Sequence, residues 1–191
     1  MAKKDYSNLT KDQLLEVIEK LEGKKKYGLV WDEERVPEKV VTDCQDKLPV
    51  LTEVKGKEIT TDENKTTHIL IEGDNYHALS VLNYTHKGKV DFVYIDPPYN
   101  TGARDWRYNN DYVDDTDTFR HSKWLQFMKN RLELAKNILA DDGVICVTID
   151  DYEMPRLWIL MEEIFSNENH LGTVVIRNNP KGRMTKRKFS L

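Results

Sequence analysis

The segment KVDFVYI at 89–95, stopped by Asp96-Pro97-Pro98, constrains the fold more than any other stretch of the chain. It is apolar on both sides, as a strand is when layers of structure cover it above and below. Neither proline can donate to a ladder, so the strand must end where they begin. From Thr67 onward the neighbouring sequence alternates in the same way. HILIEG (68–73) reads as a short strand, and Asp74-Asn75 can cap a helix that runs to about His86. A long amphipathic helix is predicted over 122–140, with Leu125, Met128, Leu132, Ala135 and Leu139 at alternating steps of three and four. Asp141-Asp142-Gly143 turns the chain into a strand VICVTID at 144–150. A helix over 153–165 follows, with Pro155 in its first turn and Leu157, Leu160, Met161 and Ile164 facing inward, and then a strand TVVIR at 173–177. This order predicts an α/β fold, with a mostly parallel sheet covered on both faces by helices.

The first sixty residues read differently, so the chain divides into an N-terminal helical and irregular extension (1–60) and an α/β body (61–191). Thr10 and Gln13 form a capping box, with the Gln13 side chain returning to the Thr10 N–H. Behind them Leu14, Ile18 and Leu21 make a short amphipathic helix that ends near Gly23. A helix this short needs packing to persist. It either docks on its own domain or associates with a second copy or partner, which would make a homodimer. Residues 36–66 are polar, lack periodicity and read as an irregular connection.

Composition narrows the function. The chain of 191 residues carries a net charge of −4, which argues against a protein that coats nucleic acid by charge alone and leaves room for an enzyme with a local basic groove. With 39% hydrophobic and 32% charged residues it is neither collagen-like, low-complexity nor wholly disordered. Two distant cysteines, Cys44 and Cys146, form neither a disulfide framework nor a metal site. No apolar run is long enough to span a bilayer, and a cytoplasmic protein with no membrane partner is expected.

Ligand sites of open parallel sheets lie beyond the carboxyl ends of the strands. Asp96-Pro97-Pro98-Tyr99 sits at such an end, and a plain turn is its simplest reading. A buried strand, an acid at its tip, two rigid residues and an aromatic together suggest chemistry instead. The exocyclic amine of a nucleobase is a poor nucleophile, because its lone pair is delocalised into the ring. A carboxylate and a backbone carbonyl side by side can accept both of its N–H bonds and release that lone pair. Prolines hold the peptide oxygens in place. A tyrosine ring can stack on the base, which must be flipped out of the duplex to arrive. Such a site needs no metal. The acids Asp150, Asp151 and Glu153 read as a helix cap with first-turn charges, and His121 as a structural or DNA-backbone residue.

Asp96-Pro97-Pro98-Tyr99-Asn100-Thr101-Gly102 resembles the catalytic motif of amino-group DNA methyltransferases, in the form used by adenine-N6 enzymes. The wider segments IEGDNYHALSVLNYTHKGKVDFVYIDPPYNTG, RHSKWLQFMKNRLELAKNIL and DGVICVTIDDYE, with YGLVWDEE near the start, resemble the modification subunits of type III restriction systems and their site-specific relatives. The resemblance implies a partial Rossmann-like fold and transfer of a methyl group from S-adenosylmethionine to a flipped adenine in double-stranded DNA. It also implies a restriction subunit as partner. Asp96 would accept from the target amine, with Pro97 supplying the carbonyl, Pro98 holding the turn and Tyr99 stacking on the base. Asp74, with Asn75 beside it, would approach the adenine end of the cofactor; a helix N-cap is the other reading of Asp74. Asp96 and Asn100 would line the cofactor's methyl end, and Asn100 would also shape the loop over the base. Lys181, Arg183, Lys186 and Arg187 are either a solvated tail or a phosphate-contacting run. The Phe-x-Gly-x-Gly stretch of the family does not occur here, so the resemblance implies the catalytic half of a domain, without the target-recognition region. The alternative is a truncated, non-catalytic piece that serves assembly or DNA binding.

Overall fold

The computed structural model describes residues 9–22, 29, 37–59 and 66–176. Its elements follow in the order α1 (Lys11–Glu22), α2 (Lys39–Asp46), α3 (Asn75–Thr85), β1 (Val90–Ile95), β2 (Ala103–Tyr108), β3 (Asp111–Asp114), α4 (Arg120–Ile138), β4 (Leu139–Val147) and α5 (Met154–Phe165), with a short 3-10 turn at Asn167–Asn169. β1 and β4 pair in parallel, with Phe92, Val93, Tyr94 and Ile95 opposite Val144, Ile145, Cys146 and Val147. The α/β class and the parallel pairing are thus as expected. The helices α3, α4 and α5 start and stop within two residues of the predicted bounds.

The core lies where α4 and α5 meet the sheet. Trp124, Leu125, Met128 and Leu132 of α4 pack with Leu157, Leu160 and Ile164 of α5, and Ile95, Ile145 and Val147 lie against them from the strands. The 3.6-residue period of α4 sets this face, since the buried positions are those that return to one side. α3 lies against α4, tied by a hydrogen bond from Asn83 Nδ2 to the Leu134 carbonyl at 3.0 Å.

Three expectations need correction. Coverage of both sheet faces fails among the described residues, because Phe92 and Tyr94 are 59% and 61% exposed on the side away from the core. HILIEG and the described part of TVVIR (173–176) make no ladder, and Leu70 and Val175 are largely exposed. Their residues favour strands, but a strand exists only through a partner, and among the described residues β1 and β4 pair only with each other. Residues 36–66, expected to be an irregular connection, contain α2. Its N-cap residue Glu38 makes no capping bond with its side chain; instead it accepts from Arg131 Nη1 at 2.9 Å and Asn130 Nδ2 at 2.9 Å on α4. Beyond these, the segment after Tyr99, polar and rich in Asn, Asp and Tyr, folds into the antiparallel hairpin β2–β3. Asn109 and Asn110 turn it with φ of 52° and 72°, as two-residue hairpin turns require. The same Asn109 receives the Lys39 N–H at 2.6 Å and donates to the Pro37 carbonyl at 2.9 Å, so 37–46 is fastened to the body.

α1 begins as the capping box expects, with the Thr10 N–H donating to Gln13 Oε1 at 2.9 Å and the Gln13 N–H to Thr10 Oγ1 at 3.4 Å. Lys24-Lys25-Lys26, the basic run from Lys181 to Arg187 and all of YGLVWDEE except Leu29 lie outside the described residues. Among the described residues no helix is long and apolar enough to cross a membrane.

Asp141, Asp142 and Gly143 bulge from β4, because Val90 pairs with Leu139 whereas Phe92 pairs with Val144. A Cβ at Gly143 would lie 2.8 Å from the Val90 carbonyl oxygen and 3.0 Å from that of Ala140. Both are backbone atoms that hold the sheet, so Gly143→Ala is expected to cost about 1–3 kcal/mol through overpacking. Leu132→Ala, which empties a fully buried site, is expected to cost about 2–5 kcal/mol. Urea unfolding checks both as a lower midpoint at unchanged slope.

Candidate active site at the end of β1

The pairing of Ile95 with Val147 carries the next residues of each strand, Asp96 and Thr148, to the same edge. The Thr148 N–H continues the ladder to the Ile95 carbonyl at 2.9 Å. Its hydroxyl donates to Asp96 Oδ1 at 2.7 Å, and the Tyr99 hydroxyl donates to the same oxygen at 2.9 Å. These bonds, that of Thr148 foremost, stabilise the ionised form and hold the exposed Asp96 carboxyl below its ordinary value. The bond to Asp96 also pushes the Tyr99 phenol up. Thr148 escaped the sequence reading; aligning the tips of the two strands would have found it.

The loop between Asp96 and Asn100 is held at three points. Pro97 is buried, and the Pro98 carbonyl accepts from Trp124 Nε1 at 2.6 Å. Asn100 is 0% exposed and adopts φ 55°, a left-handed conformation that asparagine tolerates better than most residues. Its Nδ2 donates to Glu153 Oε1 at 2.6 Å and its Oδ1 accepts from Trp106 Nε1 at 3.1 Å. The expected approach of Asn100 to cofactor or base therefore meets a side chain turned into the interior. Glu153, expected in a helix cap with first-turn acids, stands at the N-cap position of α5 without a capping bond from its side chain; it is 0% exposed and accepts from His121 Nδ1 as well. Of that acidic group Asp150 does act at a turn, receiving the Tyr152 N–H at 3.0 Å; burial pushes its carboxyl up. Among the described residues no three His, Cys, Asp or Glu gather as a metal ion would need.

Asp74 belongs to a different cluster. As the N-cap of α3 its Oδ1 accepts from the Tyr76 N–H at 2.7 Å, and the same oxygen accepts from Arg131 Nη2 at 3.3 Å. Arg131 is itself buried, paired with Glu38 and stacked over the Phe127 ring at 3.7 Å. Asp74 also lines a pocket of about 430 Å³, with Leu48, Pro49, Val50, Leu51 and Ile71 among its walls. Asp43, Glu72 and Lys47 also line it; apolar walls with carboxylate acceptors among them fit a flat heterocycle that bears an N–H donor. Asn75 and Asp96 are not among the residues that line it.

Unfolded, Asp96 titrates at the ordinary carboxylate value; folded, it titrates lower. The stabilisation from the two hydroxyls is therefore complete above the ordinary value and is lost as pH falls through the depressed one. Thr148→Val, which removes the larger cause, is expected to raise the Asp96 pKa. Carboxyl NMR titration reads this, and an unmoved value would exclude Thr148 as its cause.

A DNA methylase family model matches residues 90–190. The probable type III restriction-modification enzyme HindVI Mod subunit of Haemophilus influenzae is 48% identical over 122 residues, 64% of this chain and 15% of that protein. The type II methyltransferase M.KpnI of Klebsiella pneumoniae is 38% identical over 66% of this chain and 31% of its own length. The type III restriction-modification enzyme EcoP15I Mod subunit of Escherichia coli is 31% identical over 87% of this chain and 30% of its own. The chain thus spans less than a third of each of these relatives. The family match takes in β1, the Asp96 loop, the hairpin, α4, β4 and α5, and on that extent the chain belongs to the DNA methylase family.

Proposed function

We propose that this chain carries the catalytic half of an adenine-N6 DNA methyltransferase that transfers a methyl group from S-adenosylmethionine to a flipped-out adenine in double-stranded DNA, within a restriction-modification system. The observation that carries this reading is the arrangement around Asp96. Oδ1 is occupied by the hydroxyls of Thr148 and Tyr99, so Oδ2 is the oxygen available to an incoming amine. The Pro98 carbonyl is engaged by Trp124, which makes Pro97 the proline whose carbonyl would take the second N–H. With both N–H bonds accepted, the N6 nitrogen loses conjugation with the ring and its lone pair becomes nucleophilic. Because Asp96 stays ionised down to low pH, it acts as an acceptor throughout the neutral range. Tyr99, held by its hydroxyl, offers the ring on which the flipped base would stack.

The cofactor would supply an electrophilic methyl group. Asp74 and the pocket beside it suit the adenine end, since Asp74 Oδ2 is the oxygen not engaged by Tyr76 or Arg131. Asn75 contributes there only through the backbone of the α3 start in this reading. Lys181, Arg183, Lys186 and Arg187 would meet DNA phosphates. The names of the relatives favour a type III setting with a restriction subunit as partner.

The exposed sheet face at Phe92 and Tyr94 favours a second reading, in which the chain is an assembly or DNA-binding piece that cannot hold cofactor until more structure covers that face. Calorimetric titration with S-adenosylmethionine separates the two. Micromolar binding, about −8 kcal/mol, supports the transferase; DNA binding without cofactor binding supports the second reading.

In the active protein Asp96→Ala is expected to abolish transfer of labelled methyl to duplex DNA while the circular dichroism spectrum is unchanged. A loss of tenfold or less, about 1.4 kcal/mol of barrier, would remove Asp96 from the central role. Tyr99→Ala is expected to cost less than Asp96→Ala.

A further inference from the structure

We propose that Glu153 is a positioning residue for the 96–99 loop: from its buried site at the start of α5 it holds Asn100, and Asn100 holds the exit of the loop that presents Asp96 and Tyr99. In its activity arm this inference rests on the transferase reading above; in its structural arm it stands alone.

A carboxylate with 0% exposure is costly to bury and survives only with donors around it. Three converge on Glu153. Asn100 Nδ2 lies 2.6 Å from Oε1, His121 Nδ1 bonds to the same oxygen, and Arg156 Nη1 lies 3.4 Å from Oε2. The Arg120 Nε–H donates to His121 Nε2 at 3.3 Å, which fixes the imidazole as the tautomer that offers its Nδ1–H to Glu153. Trp106 Nε1 closes the set on Asn100 Oδ1. Both ends of the Asn100 amide are thus engaged inside the protein, and what Asn100 contributes outward is its backbone, set at φ 55°.

That backbone governs the loop because the loop has little freedom of its own. It begins at the fixed end of β1, Pro97 and Pro98 remove two φ angles, and Trp124 grips the Pro98 carbonyl. The exit at Asn100 is the remaining anchor. Glu153 makes no hydrogen bond to Asp96 in the structure, so any effect it has on the carboxylate passes through Asn100 and the loop.

Both bonds that matter end on Oε1, and a glutamine at 153 keeps an oxygen there; its amide nitrogen would meet the Arg156 guanidinium donor to donor, but that side chain is 40% exposed and can turn to water. Glu153→Gln should therefore behave as wild type, and Glu153→Leu should not. Asn100→Gly, which permits the left-handed backbone but removes the amide, should match Glu153→Leu and serves where the leucine variant does not fold. Two readouts decide. In ¹⁵N–¹H spectra of the chain, the indole N–H of Trp124 reports the Pro98 carbonyl. It should shift or broaden in Glu153→Leu and in Asn100→Gly and hold in Glu153→Gln, with most backbone peaks unmoved. In the active protein, kcat should fall about a hundredfold in the same two variants. The KM for S-adenosylmethionine should stay within about twofold, because the Asp74 pocket is built from other residues.

An unmoved Trp124 resonance in Glu153→Leu and in Asn100→Gly would overturn the inference, as would a kcat within about threefold of wild type in both. Failure of the wild-type chain to bind cofactor or transfer methyl, with the Trp124 resonance moving as expected, would instead overturn the transferase reading and leave the anchoring role of Glu153 intact.

Discussion

The parallel pairing of β1 with β4 is the constraint from which the site follows. Parallel strands end at the same edge of a sheet, and this register sets Ile95 against Val147, so Asp96 and Thr148 emerge side by side. A one-residue slip would turn Thr148 to the other face and leave the carboxylate without its strongest donor. The bulge at residues 141–143 is part of the same constraint, because it shifts β4 by the amount that brings the later residues into register, and Gly143 leaves the room for it.

Two buried charge systems then fasten the surrounding parts. Arg131 joins Glu38 ahead of α2, Asp74 at the cap of α3 and the Phe127 ring of its own helix. Three segments distant in sequence therefore depend on one guanidinium, and a wall of the pocket beside Asp74 is built where they meet. Glu153 does the corresponding work on the side of Asp96, joining the start of α5, the start of α4 and the loop after β1. Arg131 and Glu153 are both buried, where leaving a charge unpaired is expensive; every polar atom of the Glu153 carboxylate is engaged, whereas Arg131 keeps its Nε buried without a hydrogen-bond partner.

Much of this was legible in the chain because it depends on local pattern. The apolar steps of α4, the Pro155 start of α5 and the Thr10–Gln13 box are short-range signals, and the structure has each within two residues of its expected place. The Asn109-Asn110 turn is equally local, since two asparagines that accept positive φ between aromatic-bearing segments suit a hairpin. α2 was not legible: eight residues of weak propensity become a helix because Glu38 and Asn109 fasten the preceding segment to the body. HILIEG and TVVIR show the reverse, since β propensity without a neighbouring strand leaves a segment unpaired.

By itself the sequence determined the helices of the body, the strand that ends at Asp96-Pro97-Pro98 and the chemical character of that end, because periodicity, caps and proline stereochemistry act over a few residues. Only the tertiary structure decided which groups serve the carboxylate. Thr148 reaches Asp96 across a sheet register, Trp124 reaches Pro98 from a helix, and Asn100 turns inward to Glu153. Each bond spans more than twenty residues of sequence, and at that separation nothing in the local pattern specifies a partner; packing does.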